Sequence, residues 1–213
     1  MEIRRVSPIR FDATATKSEE RNGWTVALSY GLSEGTLLID LSHRPKWDLQ
    51  NSNLARFRPF GIRIPETPGQ CIFSDGILIN RMNRTQCAIW NLSADKGQEP
   101  RSSSYTEVTD GLALLAVTGP SALDVMERVT SLDLGSPSLS PPCLLQGPVL
   151  HIPCQVVLLL KEGSEATILF SFSRGYGQAM ADALLGAARD LDLRPGGELD
   201  LRWSRANHLS PVN

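Results

Sequence analysis

The chain has 213 residues, 41% hydrophobic and 21% charged, and 21 lysines and arginines against 23 acidic residues give a net charge of −2. That is enough chain to bury a core, as one large domain or two small, closely packed ones, with a globular composition rather than a disordered or coiled-coil one. No basic field is present to recruit nucleic acid. The most apolar run, Ile152 to Leu160, contains Pro153 and Gln155 and stops at Lys161, far short of the roughly 20 residues that cross a bilayer. Neither a nucleic-acid nor a membrane partner is expected.

Met1 to Thr16 mixes charges with Ile3, Val6 and Ile9 and holds no apolar signal core, so a cytoplasmic location is the expectation. Trp24, Val26, Leu28 and Tyr30 alternate with polar residues, the period of a half-buried strand. Leu37 to Leu49 reads as a strand pair or a bent strand, and Ser52 to Arg58 as a short helix. "GILINRM" and "QCAIWNL" flank "NRT" as the arms of a hairpin. Ser93 to Glu107 is almost free of apolar side chains and reads as a linker.

The second half is more regular. "GLALLAVT", Gly111 to Thr118, is a buried strand ended by Gly119-Pro120. Ser121 and Asp124 form a variant capping box for a helix whose stripe is Ala122, Val125, Met126, Val129 and Leu132. Gly135 to Pro148, rich in proline and serine, has a loop composition. Two β-rich runs, Val149 to Leu160 and Ala166 to Phe172, come next, joined by "KEGSE". A second helix carries Met180, Leu184, Ala187, Ala188 and Leu191 and ends at "RPGG", and "ELDLRW" alternates like a strand. This is a β-α-β-β-α-β order. The expected fold is α+β with two ferredoxin-like lobes: residues 1–95, a linker at 96–107, a second lobe at 108–205 and a tail at 206–213. Val156 to Leu160 does not alternate, which implies cover on both faces, from this chain's helices or from a partner.

Concentrated chemistry is scarce. In "LLIDLSHRPKWDLQ", His43 could serve as a base oriented by Asp40. Residues three apart on a strand face opposite sides, however, and no GxSxG nucleophile elbow accompanies them. The stretch therefore reads as a strand end with Arg44 and Lys46 solvated and Trp47 packed. "SRGYGQ", Ser173 to Gln178, places two glycines before a helix, a weak anion-site signal that reads better as helix entry. His151 and His208 stand alone. Cys71, Cys87, Cys143 and Cys154 are widely spaced, so a metal site is not expected.

Three stretches together resemble the folate-binding aminomethyltransferases, the T-protein of glycine cleavage and its relatives. "LLIDLSHRPKWDLQ" is similar to that family's early Asp-x-Ser-His segment, and "LALLAVTGPSALDVMERVTSLDL" to its apolar strand, Gly-Pro and helix. "RGYGQAMADALLGAARDLDLRPGG" is similar to its late helix and the "GL-x-P-x-G" after it. Folate-binding members carry a polar "RTGYTGE-x-G-x-E" strand and turn, where this chain has the apolar "HIPCQVVLLLKEGSEATILFSF". The later arginine-rich helix, the C-terminal domain and the lysine-glycine-cysteine motif of the iron–sulfur-assembly branch have no counterpart here. The resemblance therefore does not extend to folate binding or aminomethyl transfer.

In length and in "SFSRGYGQAMADALL" the chain looks like the gamma subunits of heterotetrameric sarcosine oxidases. This implies a noncatalytic subunit of an oxidase of sarcosine or a similar methylated amine, with no catalytic, cofactor-binding or metal-binding residues of its own. FAD, FMN, NAD and tetrahydrofolate are then expected in larger flavin- and folate-binding partner subunits. The alternatives are a stand-alone folate-binding aminomethyltransferase-like protein and a scaffold without a metabolic role.

Overall fold

The unbroken apolar run at residues 156–160 finds cover on both sides from this chain itself. A computed structural model describes residues 4–31, 34–93 and 100–202. In it β11 (Ile152–Glu162) and β12 (Glu165–Ser173) form an antiparallel hairpin in the middle of the chain's larger sheet. Val156 and Leu158 face one hydrophobic layer, Val157 and Leu159 the other.

The hairpin is flanked by β10 (Cys143–Val149) on one side and by β9 (Leu112–Gly119), β3 (Leu37–Asp40) and β13 (Arg194–Gly196) on the other. The six strands thus run in the order β10-β11-β12-β9-β3-β13. Two short helices, α1 (Ala122–Glu127) and α2 (Gly177–Ala187), cover the outer face of this sheet through Val125, Met126, Met180 and Leu184. Against its inner face lies a second sheet. Its members are β5 (Cys71–Ser74), β6 (Ile77–Arg81), β7 (Gln86–Asn91), β4 (Lys46–Gln50) and β8 (Tyr105–Glu107), five strands hydrogen-bonded in that order.

The period-two alternation assigns each side chain to a layer. Leu78, Ala88 and Trp90 meet the larger sheet, while Ile77, Ile79, Cys87 and Ile89 turn outward to Leu54, Phe57 and Ile64. A separate ribbon, β1 (Lys17–Arg21) with β2 (Trp24–Ser29), packs Trp24, Val26 and Leu28 together.

Several expectations change. The structure is mostly β, and the first half holds no α-helix among the described residues. Residues 52–58 hold only one isolated helical turn, Leu54–Arg56, and a second follows at Pro59–Gly61. Pro59 disfavours the helical region for Arg58, which sits at φ −136°, ψ 73°. Leu37 to Leu49 is a strand pair whose members enter different sheets: β3 pairs with β9 and β13, and β4 with β7 and β8. A first-half strand is thus built into the sheet of the second half, so residues 1–95 and 108–205 do not form separate sheets.

Within the expected linker, residues 105–107 form an edge strand, and residues 94–99 lie outside the described residues. The proline-rich loop instead ends in β10, where Pro148 is tolerated because the strand is at the sheet edge. The helix expected to run to Leu132 stops at Glu127, although Val129 and Leu132 still pack on the core. Ser121 sits at its cap position without a capping side-chain bond, and its N–H donates to Thr36 Oγ1 at 2.9 Å.

"RPGG" ends no helix, since Asp192 in the left-handed region closes the preceding turn and Arg194–Gly196 form β13. "ELDLRW" turns rather than extends, with Asp200 accepting the Gly197 N–H at 2.8 Å. Trp203, and the tail with His208, lie outside the described residues. Gly197 has to be glycine, because a Cβ there would lie 2.2 Å from the Leu28 carbonyl carbon.

Because both faces of β11 are internal, Val156→Asp (helix side) and Val157→Asp (between the sheets) are each expected to cost about 4 kcal/mol or more. Urea unfolding of the isolated chain measures both. A folded, stable Val157→Asp protein would show that the inter-sheet layer is not part of the core.

Candidate functional site

At the end of β3 the chain leaves one sheet and crosses to the other through Leu41, Ser42, His43, Arg44 and Pro45. This crossing carries a dense cluster of polar side chains. Asp40 does not meet His43. Its Oδ1 accepts the Ser42 N–H at 2.9 Å and its Oδ2 accepts the Ser7 hydroxyl.

His43 turns instead to Glu198, on the turn after β13, with 2.9 Å between Nε2 and Oε1. Glu198 also accepts Arg21 from β1, at 2.9 Å and 2.8 Å on its two oxygens, and pairs with Arg44. Arg44 reaches the Ser93 carbonyl as well, beyond the end of β7. One carboxylate therefore ties β1, the crossing and the end of β13 together.

The side chains of His43 and Glu198 are each only 6% exposed. Burial alone would raise Glu198, but hydrogen bonds from His43 and Arg21 and the charge of Arg44 outweigh it, holding the carboxyl at about 2. Burial lowers His43 below its ordinary value, and Arg44 adds to this against the pull of Glu198. His43 is thus neutral at neutral pH, and the two guanidinium groups supply the charge that holds Glu198 ionised.

Lys46 is fully buried rather than solvated, and Arg44 is 6% exposed. Lys46 faces the gap between the sheets, paired in register with Trp90, and its Nζ donates to the Ser42 and Arg44 carbonyls, both at 2.8 Å. Burial brings it down to about 7. Trp47 does pack, edge-on to Phe60 with 5.5 Å between ring centroids. A cavity of about 280 Å³ beside the crossing is lined by Ser7, Arg10, Phe11, Tyr30 and Asp40, and His43, Arg44 and Glu198 are not in its wall. The cluster is a satisfied ionic junction with its hydrogen-bonding groups turned inward.

The start of α2 is likewise occupied. The Gln178 side chain exchanges hydrogen bonds with the Arg10 backbone, at 2.8 Å and 3.0 Å, and Arg174 donates to the Val6 carbonyl. A Cβ on Gly177 would lie 2.6 Å from Pro8 Cβ. The glycine of "SRGYGQ" admits the chain's own N-terminal segment where an anion would sit.

His151 is exposed in the β10–β11 turn. All four cysteines are free. Burial raises each thiol, Cys87 to about 12 and Cys154 to about 11, with Cys71 and Cys143 also pushed up. No thiolate is poised at neutral pH. Among the described residues no group of three or more His, Cys, Asp or Glu could hold a metal ion. None of the described helices is long and apolar enough to cross a membrane.

Arg21 and Glu198 are the members that a reading of the sequence misses. They lie 177 residues apart, and no local pattern marks either one.

No family model and no curated protein matches the sequence. Among solved structures, the chain is similar to a chain of the heterotetrameric sarcosine oxidase from Corynebacterium sp. U-96 in complex with pyrrole 2-carboxylate. That match has a TM-score of 0.62 and 12% identity, over 75% of this chain and 89% of that one. It is also similar to aminomethyltransferase T of the glycine cleavage system from Bartonella henselae, with a TM-score of 0.55 and 16% identity over 87% of this chain. The chain spans 57% of that enzyme's length. At these identities the shared property is the fold: this chain has the fold of both.

Removing the hub carboxylate should strand buried cations. Glu198→Gln is expected to cost about 3–5 kcal/mol in urea unfolding. Because the folded carboxyl sits at about 2, its contribution is complete above the unfolded value of about 4.5. It fades as the pH falls from there towards 2, and is worth about 3 kcal/mol. The difference between wild type and Glu198→Gln should shrink over that interval.

Lys46 gives a slope of the same sign at higher pH. Between pH 7 and about 10.5 the unfolded chain holds the proton that the folded chain has lost, so raising the pH stabilises the fold. Lys46→Met should remove that rise, as thermal melts across the interval would record.

Proposed function

We propose that the chain is a noncatalytic, gamma-type subunit of a heteromeric, flavin- and folate-dependent oxidase of sarcosine or a similar methylated amine. The observation that carries this reading is the match to a chain of a heterotetrameric sarcosine oxidase. The shared region is three quarters of this chain and nearly nine tenths of that one. The two chains are therefore of similar length, whereas the aminomethyltransferase extends well beyond the shared fold.

The residues favour the same reading. The early Asp-x-Ser-His segment is spent on internal contacts, Asp40 on Ser42 and Ser7 and His43 on Glu198. β11 and β12, which stand where the resemblance places a polar folate strand, are buried on both faces from Val156 to Leu159 and from Ala166 to Phe172. Their buried hydroxyls are already paired, Thr167 with Thr118 at 2.7 Å and Ser171 with the Ala113 carbonyl at 3.0 Å. FAD, FMN, NAD and tetrahydrofolate belong, on this reading, to larger partner subunits in the cytoplasm.

The alternative, a stand-alone folate-binding aminomethyltransferase-like protein, draws on the likeness to aminomethyltransferase T over 87% of this chain. Calorimetric titration separates the two. The isolated chain is expected to bind tetrahydrofolate no better than millimolar, since each folate heteroatom left unpaired costs about 1–3 kcal/mol. Micromolar binding would favour the alternative. Tagged in its native host, the chain should elute with larger, flavin-bearing chains, and recovery of the chain alone would defeat the subunit reading.

A further inference from the structure

The two outer faces of the sheet pair are covered unequally. Helices α1 and α2 lie over the six-stranded sheet, but the outer face of the five-stranded sheet is covered mainly by the short segment from Leu54 to Ile64. Beside that segment runs a groove of about 670 Å³, lined by Arg56, Arg58, Arg101, Phe57, Phe60 and Tyr105.

The three arginines are exposed, and none has a carboxylate partner among the described residues. Nearby Arg63, by contrast, pairs with Glu66. Arg58 is held in place by the Ala55 and Phe57 carbonyls, at 2.7 Å and 2.8 Å. The floor is preorganised as well: Phe57 stands edge-on to Tyr105 at 5.7 Å, and Phe60 edge-on to Trp47 at 5.5 Å. Phe60 adopts φ 52°, ψ 28°, a left-handed conformation that is an outlier for a bulky side chain.

We infer that this groove is the docking surface for an extended acidic segment of a partner protein chain. Carboxylates of the segment would meet the guanidinium groups of Arg56, Arg58 and Arg101, with an apolar side chain against Phe57 and Tyr105. Arginine and aromatic residues are the types that dominate protein interfaces, and unpaired guanidinium groups match carboxylates bidentately. A small ligand would need walls that bury most of its surface. Here the arginine rim is open to solvent, which suits a chain laid along the groove. The inference rests on the subunit reading and assigns it a face.

The test uses Arg56→Glu/Arg101→Glu, two exposed positions, with Arg189→Glu near the end of α2 as a charge control. Equal melting temperatures establish that all the variants fold. In fluorescence anisotropy, a labelled peptide of alternating glutamate and leucine should bind the wild type and weaken about tenfold or more in the double variant and in high salt. A lysine–leucine peptide should not bind.

In the native host, the wild type and Arg189→Glu should retain the larger chains and the double variant should lose them. A wild type recovered without partners defeats the subunit reading itself. Partners retained equally by the double variant, or lost equally by Arg189→Glu, overturn the groove alone. So does pyrophosphate binding the wild type more tightly than the acidic peptide.

Discussion

β3 is the strand on which the rest of the structure depends. It is four residues long, and Leu37, Leu38 and Ile39 are fully buried. It is hydrogen-bonded antiparallel to β9 on one side and parallel to β13 on the other. Leu38 faces the helices while Leu37 and Ile39 face the second sheet, so this strand contributes to both hydrophobic layers. Residues far apart in the chain share one sheet because β3 sits between them.

The position of β3 explains why the segment between it and β4 is so polar. The chain must pass from the six-stranded sheet to β4 in the five-stranded one, and a crossing backbone in a dry interior brings carbonyls that no ladder satisfies. Lys46 answers the Ser42 and Arg44 carbonyls, while Asp40 takes the Ser42 N–H. His43 and Arg44 then converge on Glu198 and Arg21. A stretch with the residue types of an active site is used to carry the backbone between two sheets. Each of its charged groups is hydrogen-bonded, and Arg44 is ion-paired as well, because a buried charge without partners would cost several kcal/mol.

Cations without a carboxylate partner also lie at the surface. The groove rimmed by Arg56, Arg58 and Arg101 presents guanidinium groups with no carboxylate among the described residues to meet them. The internal junction, by contrast, is saturated. The fold spends its buried ions on holding its sheets together, and the cations of the groove lie on its thinly covered face.

The sequence alone determined the elements that depend on local pattern. The alternation of Trp24 to Tyr30, the buried run of β9, the hairpin around "NRT" and the two-sided cover of Val156 to Leu160 come from period and apolarity, and each is in the structure. Resemblance of motif order likewise reached the fold shared with the two solved structures. Only the tertiary structure decided the rest. Arg44 and Lys46 read as solvated because lysine and arginine are rarely buried, and only the partners Glu198, Ser42 and Arg44 make their burial possible. "ELDLRW" alternates like a strand, yet close packing of Gly197 against Leu28 and the Asp200 hydrogen bond turn it, which brings Glu198 to His43. Pairing between residues more than 150 positions apart leaves no trace in local pattern, because it is set by which strands become neighbours.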